Sequence, residues 1–250
     1  MKDWLYDTYV AHRGIYDNDA GVIENTMPAF RKAVEMGYNI ELDVQLTKDG
    51  QLITYHDDNL KRRFGIDKFV DEFTFDELQS LRFLQSETAR IPLFSEVCEL
   101  CAGKVGIMIE IKKKASNELD HKVEDELLRV LKPFEGKLDF IVKSFNPFSV
   151  DYMRVKAPSY RRGFLSYADS LDDYKDYEQP MVERLLFDKD RKVEFFDFLI
   201  RKPDSQLLKT MIGKMPIIFW TIDSQETYDL AMKLGNNIIF EHFNPPARKK

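Results

Sequence analysis

Apolar and polar residues alternate most clearly in the segment IELDV at 40–44. This period of two predicts a β-strand that presents Glu41 and Asp43 on one face and its apolar side chains on the other. A tight turn at 48–50 (KDG), followed by a second β-type run that ends at His56, predicts an antiparallel hairpin. With the hairpin centred between the last two residues of that turn, Asp43 lies opposite His56 across the ladder.

The rest of the chain alternates short apolar runs with segments of helical periodicity. The order strand, helix, strand predicts a parallel sheet. The second strand of the hairpin is antiparallel to its neighbour, so we interpret it as an outgrowth of the preceding strand and do not count it among the strands of this sheet. Eight strands then remain, and eight strands with intervening helices predict an α/β protein with the (β/α)8 TIM barrel fold. We predict strands at 8–13, 40–44, 51–56, 105–111, 140–144, 162–165, 196–201, 217–222 and 237–241, and helices at 92–102, 118–131, 147–155, 204–212 and 224–234, with a further helix between Thr26 and Gly37 and a variable helical region to about Lys192.

A charged, Phe-rich stretch at about 58–91 has weak periodicity and is interpreted as a small insertion after the hairpin. No internal repeat or linker is evident, so residues 1–250 are predicted to form a single domain. With 250 residues, of which 44% are hydrophobic, the chain has enough apolar side chains for one large core.

Net charge and hydropathy exclude several classes of protein. A formal charge of −6 argues against nucleic-acid binding, and it means that an anionic substrate needs a local positive site. No run of 18 apolar residues and no signal-peptide pattern occurs, so we expect a soluble, cytoplasmic protein without stable membrane insertion. Cys98 and Cys101 form a CxxC pattern, but no second Cys/His pair accompanies it, and we expect reduced packing residues.

Polar residues stand at the ends of several predicted strands, where barrels of this class carry their chemistry. Glu41 and Asp43 lie on the second strand, and Glu110 lies at the end of the strand at 105–111. Three carboxylates on adjacent strands predict a site for one divalent cation, Ca²⁺ or Mg²⁺, because hard cations prefer oxygen ligands. The alternatives are solvated acids at a sheet edge and an ion pair between Glu110 and Lys112.

The same strand ends carry cations and two histidines. Arg13 offers a bidentate fork and Lys112 a point charge, and both are suited to a phosphate. Imidazole is the side chain suited to proton transfer near neutral pH, so His12 and His56 are candidates for a general acid and base. Taken singly, His12 could equally be a core histidine and His56 a turn residue. Together these groups are what cleavage of a phosphodiester requires.

Eight segments of the chain, in order, resemble the glycerophosphodiester phosphodiesterases. They are AHRG at 11–14, ENTMPAF at 24–30, ELDVQLTKDG at 41–50, HDDNLKR at 56–62, IPLFSEV at 91–97, IEIK at 109–112, KSF at 143–145 and FWTID at 219–223. The resemblance implies a barrel with an inserted segment, a divalent cation, and hydrolysis of a small glycerophosphodiester to glycerol 3-phosphate and an alcohol.

The resemblance also implies roles for individual residues. By position, His12 and His56 match the family's acid/base histidines. Trp220 matches an aromatic residue at the substrate mouth, for which a core tryptophan is the alternative. The implied metal ligands are Glu41, Asp43 and Glu110, the implied phosphate contacts are Arg13 and Lys112, and Glu24 and Asn25 belong to a loop motif of the family.

Two segments depart from the family pattern. Arg63-Phe64-Gly65 stands where a threonine and a glycine are common, and the last strand carries Glu241 in place of an aspartate, followed by His242. These departures concern the choice of substrate more than the chemistry. A lysophospholipase D-like or phosphoinositide-cleaving barrel and a non-catalytic phosphodiester-binding barrel stay open, as do the alcohol of the substrate, the nucleophile and the oligomeric state.

Overall fold

The computed structural model describes residues 3–114, 118–190 and 193–248. The chain forms two compact units, which we call unit A (residues 11–139) and unit B (residues 1–10 and 140–250). The prediction of one domain over residues 1–250 stays a prediction.

Strands alternate with helices from residue 3 to residue 139, as the sequence predicts. The elements are α1 (Trp4–Asp7), β1 (Val10–His12), α2 (Met27–Glu35), β2 (Asn39–Leu46), β3 (Leu52–Thr54), α3 (Lys61–Phe64), a 3-10 turn (Val70–Glu72), α4 (Phe75–Ser80), α5 (Phe94–Cys101), β4 (Ile107–Ile111), α6 (Lys122–Leu131) and a second 3-10 turn (Lys132–Phe134). The helix predicted at 118–131 begins at Lys122, and α1 was not predicted.

The sheet of unit A is centred on β2, which is buried along nearly its whole length. It pairs in parallel with β4, antiparallel with β3, and also with β1. The apolar side chains of β2 at 40, 42 and 44 are fully buried on one face. The other face, which carries the acidic residues, is buried as well, as is typical of strands in a parallel α/β sheet.

The register of the β2–β3 hairpin differs from the predicted one. Val44 pairs with Thr54, and the amide of Tyr55 donates to the carbonyl of Asp43 at 3.1 Å, so Asp43 lies opposite Tyr55 and not His56. The connection is a three-residue loop in which Gly50 has a φ of 78°. A left-handed glycine at the last loop position is typical of a three-residue hairpin loop centred on Asp49, whereas the prediction centred the turn between Asp49 and Gly50.

The segment at 58–91 contains α3, the first 3-10 turn and α4, and it has a small core of its own. Its phenylalanines mostly point inward: Phe64 and Phe83 are 8% and 3% exposed. They pack in a cluster with Leu60, Val70 and Leu78. This core holds the segment against the rest of unit A through contacts with residues such as Ile53 of β3.

Unit B continues the alternation with parallel strands. Its elements are β5 (Phe140–Ser144), α7 (Pro147–Lys156), β6 (Arg162–Ser166), a 3-10 turn (Leu171–Asp173), α8 (Gln179–Phe187), β7 (Phe195–Leu199), α9 (Gln206–Met211), β8 (Ile217–Ile222), α10 (Gln225–Leu234) and β9 (Asn237–Phe240). The pairs β5–β6, β6–β7, β7–β8 and β8–β9 are all parallel. Lys192, the predicted limit of the variable helical region, lies outside the described residues.

The alternation and the parallel pairings confirm the predicted fold class, an α/β protein with the (β/α)8 barrel fold. Cys98 and Cys101 are free and fully buried in α5, as expected of packing residues. In the part of the chain that the structure describes, every helix is too short or too polar to span a bilayer.

Candidate active site

Three carboxylates of unit A meet in one buried cluster. Glu41 and Asp43 share a face of β2 because they are two residues apart, and Asp43 is the register partner of Glu110 on β4. One oxygen from each of the three lies within 4.8 Å of the others. The residues are 1%, 1% and 6% exposed. The convergence expected from the sequence is therefore present.

Two basic side chains compensate part of this negative charge. The Nζ of Lys112 lies 2.9 Å from Glu110 Oε1 and 3.5 Å from Asp43 Oδ1, and the Nε of Arg13 lies 3.4 Å from Asp43 Oδ2. Burial alone raises the pKa of a carboxyl group, but Lys112, His56 and Arg13 outweigh it and hold the pKa of Asp43 well below its usual range. Asp43 is therefore ionised.

The cluster fits a hard divalent cation. All of its candidate ligands are carboxylate oxygens, which Ca²⁺ and Mg²⁺ prefer. Calcium accepts oxygens at about 2.3–2.6 Å, so oxygens separated by up to about 5 Å can share one ion. Three carboxylates against the two positive charges of Arg13 and Lys112 also leave an excess of negative charge in a buried place, which a cation would balance.

Both candidate histidines belong to unit A. His12 ends β1, and its Nε2 lies 3.9 Å from Glu41 Oε2. His56 follows β3, and its charge lowers the pKa of Asp43. The Nδ1 of His56 lies 2.7 Å from Oδ1 of Asp57, and this contact leaves Nε2 as the other ring nitrogen for proton transfer. The corrected hairpin register therefore still leaves His56 within electrostatic reach of the cluster.

A tight loop conformation brings Arg13 and Asn25 to Asp43. Both residues have left-handed backbones, with φ of 54° and 55°, and the amide of Asn25 donates to the carbonyl of Arg13 at 3.0 Å. The Nδ2 of Asn25 donates to Asp43 Oδ2 at 2.8 Å. Gly14 completes the loop with a φ of 83°, and a Cβ there would lie 2.7 Å from the carbonyl carbon of Ala29. Left-handed non-glycine residues cost backbone energy and are typical of functional sites.

A charge network lies beneath this loop, and no role was predicted for it. Glu24 is 6% exposed and accepts hydrogen bonds from three guanidinium groups: Arg13 Nη1 at 2.9 Å, Arg62 Nη2 at 2.6 Å and Arg63 Nη2. Although burial opposes ionisation, Arg62, Arg13 and Arg63 lower the pKa of Glu24 to about 2. Arg63, which departs from the family pattern, is thus a third partner of Glu24 and is itself buried.

Arg62 also connects Glu24 to His56. Its Nε and Nη2 donate to the two oxygens of Asp57 at 2.6 and 2.9 Å, and Asp57 in turn contacts the His56 ring. Burial raises the pKa of Asp57, but its hydrogen bonds from His56 and Arg62 outweigh that effect and lower it. A chain of contacts therefore runs from Glu24 through Arg62 and Asp57 to His56, and it fixes the orientation of the His56 imidazole. The HDDNLKR motif contains three of these residues, but only the fold joins them to Glu24.

The remaining predicted residues lie in unit B. Trp220 is on β8, half-buried, with its ring 5.6 Å from that of Phe145 in an edge-to-face arrangement. Glu241 and His242 follow β9, where the amide of Glu241 donates to the carbonyl of Ile222 at 3.0 Å. The prediction that Trp220 lies at the substrate mouth stays a prediction.

Comparison with known proteins gives matches along nearly the whole chain. The sequence model of the glycerophosphoryl diester phosphodiesterase family matches residues 12–243. A glycerophosphodiester phosphodiesterase of Caldanaerobacter subterraneus subsp. tengcongensis is 31% identical over 232 residues, 90% of each chain. Lysophospholipase D GDPD1 of Rattus norvegicus is 35% identical over 267 residues, 94% of this chain and 82% of that protein. The crystal structure of a glycerophosphodiester phosphodiesterase from Thermotoga maritima superposes with a TM-score of 0.70 at 29% identity, covering 93% of this chain and 94% of that one.

Proposed function

Because the chain belongs to the glycerophosphoryl diester phosphodiesterase family and is therefore a phosphoric diester hydrolase, we propose that it hydrolyses glycerophosphodiesters to glycerol 3-phosphate and an alcohol. The observation that carries this proposal is the buried carboxylate cluster with basic side chains and two histidines beside it. The residues are Glu41, Asp43, Glu110, Arg13, Lys112, His12 and His56.

His12 and His56 act as the general acid and base. One imidazole takes the proton of the attacking hydroxyl group or water, and the other donates a proton to the leaving alcohol oxygen. The Asp57 contact supports this role for His56, because it fixes the ring by one nitrogen and leaves the other available. His12 is supported by its position at the end of β1, next to Glu41.

Glu41, Asp43 and Glu110 hold one divalent cation, Ca²⁺ or Mg²⁺. When bound, the cation supplies charge neutralisation for the phosphoryl oxygens. Arg13 and Lys112 contribute positive charge at the same place, and both are already held there by Asp43. The site therefore provides the positive focus that an acidic chain needs for an anionic substrate.

The test is release of glycerol 3-phosphate from a panel of glycerophosphodiesters, measured with and without a chelator. We expect turnover of at least one diester, loss of turnover with EDTA, and recovery on adding Ca²⁺ or Mg²⁺. His12→Ala and His56→Ala should each lower the rate by about 10²- to 10⁴-fold. His121→Ala is the matched control, because His121 lies beside Glu124 on α6 and has no role in the proposed chemistry. Failure to hydrolyse any diester, or histidine variants with the wild-type rate, would reject the proposal.

A second candidate function is hydrolysis of lysophospholipids, which the similarity to lysophospholipase D GDPD1 favours. In this case Trp220 and the rings near it would contact lipid. In the Phe-rich segment at 58–91 most rings pack in or against its own core, and Phe69 and Leu84 are large apolar side chains that it exposes. Choline release from lysophosphatidylcholine, compared with release from glycerophosphocholine at equal concentration, distinguishes the two functions.

A further inference from the structure

Unit A contains a cavity of about 320 Å³ that Lys112 shares with the carboxylate cluster. Its wall combines the end of β2 and its hairpin turn, the segment at 58–91, the residues that follow β4, and the start of α6. The volume is in the range of small-molecule sites, about 300–1,000 Å³. A phosphodiester held at Lys112 therefore has space on this side for one of its two ester arms.

The wall of this cavity is built from alternating acids and amines. Lys114 is 14% exposed, and its Nζ lies 2.8 Å from Asp71 Oδ2 and 4.9 Å from the centre of the Phe69 ring. A second pair, Lys122 and Asp120, is separated by 3.5 Å. The Lys114 ammonium group thus lies between the insertion and the end of β4, in contact with Asp71 and Phe69.

Apolar surface is scarce in the same wall. Among the described residues that line the cavity, the large apolar side chains are Leu46 and Val123, and none is aromatic. An acyl chain would meet charged groups here and strip them of water without replacing their hydrogen bonds. A trimethylammonium group is recognised best by aromatic faces, and the Phe69 ring beside this wall already faces the Lys114 ammonium group.

We propose that this cavity takes the alcohol arm of the substrate, and that this alcohol is a small polyol such as glycerol or inositol. The inference rests on the proposed function and adds the substrate class to it. Each hydroxyl group of a polyol donates one hydrogen bond and accepts others. Between a carboxylate and an ammonium group it can donate to the carboxylate and accept from the ammonium group. Asp71 and Lys114 supply that combination, with the Lys114 side chain only 14% exposed, whereas the second pair, Asp120 and Lys122, is more open to solvent.

The test compares kcat/KM for glycerophosphoglycerol, glycerophosphoinositol, glycerophosphocholine and lysophosphatidylcholine. We expect the wild-type protein to prefer the two polyol diesters by about tenfold or more, since hydrogen bonds to charged groups are worth about that factor. Lys114→Met should remove most of this preference, mainly through a higher KM for the polyol diesters. Asp71→Asn, which keeps the shape of the side chain, should act in the same direction.

Lys61→Met is the matched control, because Lys61 and Asp67 form an exposed lysine–aspartate pair in the same insertion at 3.1 Å. We expect it to change each kcat/KM by less than about threefold. Equal kcat/KM for the choline and polyol diesters, or equal losses on all substrates in Lys114→Met, would overturn the cavity assignment while leaving the hydrolase function intact. Absence of turnover on every diester would overturn the proposed function and the cavity assignment together.

Discussion

Replacing Glu24 with glutamine removes a carboxylate on which three guanidinium groups converge. In the folded protein the pKa of Glu24 is about 2, against an ordinary value of 4.5. This difference of roughly 2.5 units, at about 1.36 kcal/mol per unit, corresponds to about 3 kcal/mol of stability at neutral pH. Loss of one partner from a buried ion pair costs a similar amount, about 3–5 kcal/mol. We therefore expect Glu24→Gln to lower the free energy of unfolding by about 3 kcal/mol at pH 7.

The sign of the pH dependence follows from the lowered pKa of Glu24. Its contribution is fully present above the ordinary value of 4.5 and is lost as the pH falls through about 2. The difference in unfolding free energy between wild type and variant should therefore stay near its full size at pH 5 and fall to less than about half at pH 3. Urea unfolding followed by circular dichroism at pH 7, 5 and 3 measures this difference directly.

Glu183→Gln is the control, because Glu183 is an exposed acid of α8. It should change the free energy of unfolding by less than about 0.5 kcal/mol at each pH. The reasoning about Glu24 is refuted if the variant loses less than about 1 kcal/mol at pH 7, or if a loss of about 3 kcal/mol persists unchanged at pH 3.

Three further predictions concern the site and the core. Arg62→Lys keeps the positive charge but loses the two parallel hydrogen bonds that hold Asp57. Steady-state kinetics should show about tenfold lower kcat with little change in KM. An unchanged kcat would contradict the link to His56. The melting temperature should rise with Ca²⁺ or Mg²⁺ and return with EDTA. At a cation concentration a hundredfold above Kd, the free energy of unfolding should increase by about 2.7 kcal/mol. An unchanged melting temperature would argue against a cation site. Burial raises the pKa of Cys101 to about 12 and raises that of Cys98 as well, so a thiol reagent at pH 8 should label neither residue until urea is added.

Local pattern was sufficient for the fold class but not for its details. The apolar runs and helical periods predict the alternation of strands and helices. A strand buried on both faces needs a continuous apolar run, and a helix buried on one face needs apolar residues at the helical spacing, whatever its place in the fold. The hairpin register was missed by one residue. The sequence locates the turn at 48–50, but whether it is centred on Asp49 or between Asp49 and Gly50 depends on the backbone conformation of Gly50. The helix predicted at 118–131 begins later than expected, at Lys122, since the helical period does not mark where the first turn closes.

By itself, the sequence determined that Glu41 and Asp43 share a face, because the period of a strand is a local property of the backbone. It also indicated Glu110, His12, His56, Arg13 and Lys112, because each stands at or just beyond the end of a predicted strand. Only the tertiary structure decided that Asp43 lies beside Glu110 and that Arg62 joins Glu24 to Asp57. The physical reason is that long charged side chains pair with whichever opposite charge packing brings within reach, and that choice depends on residues distant in the chain.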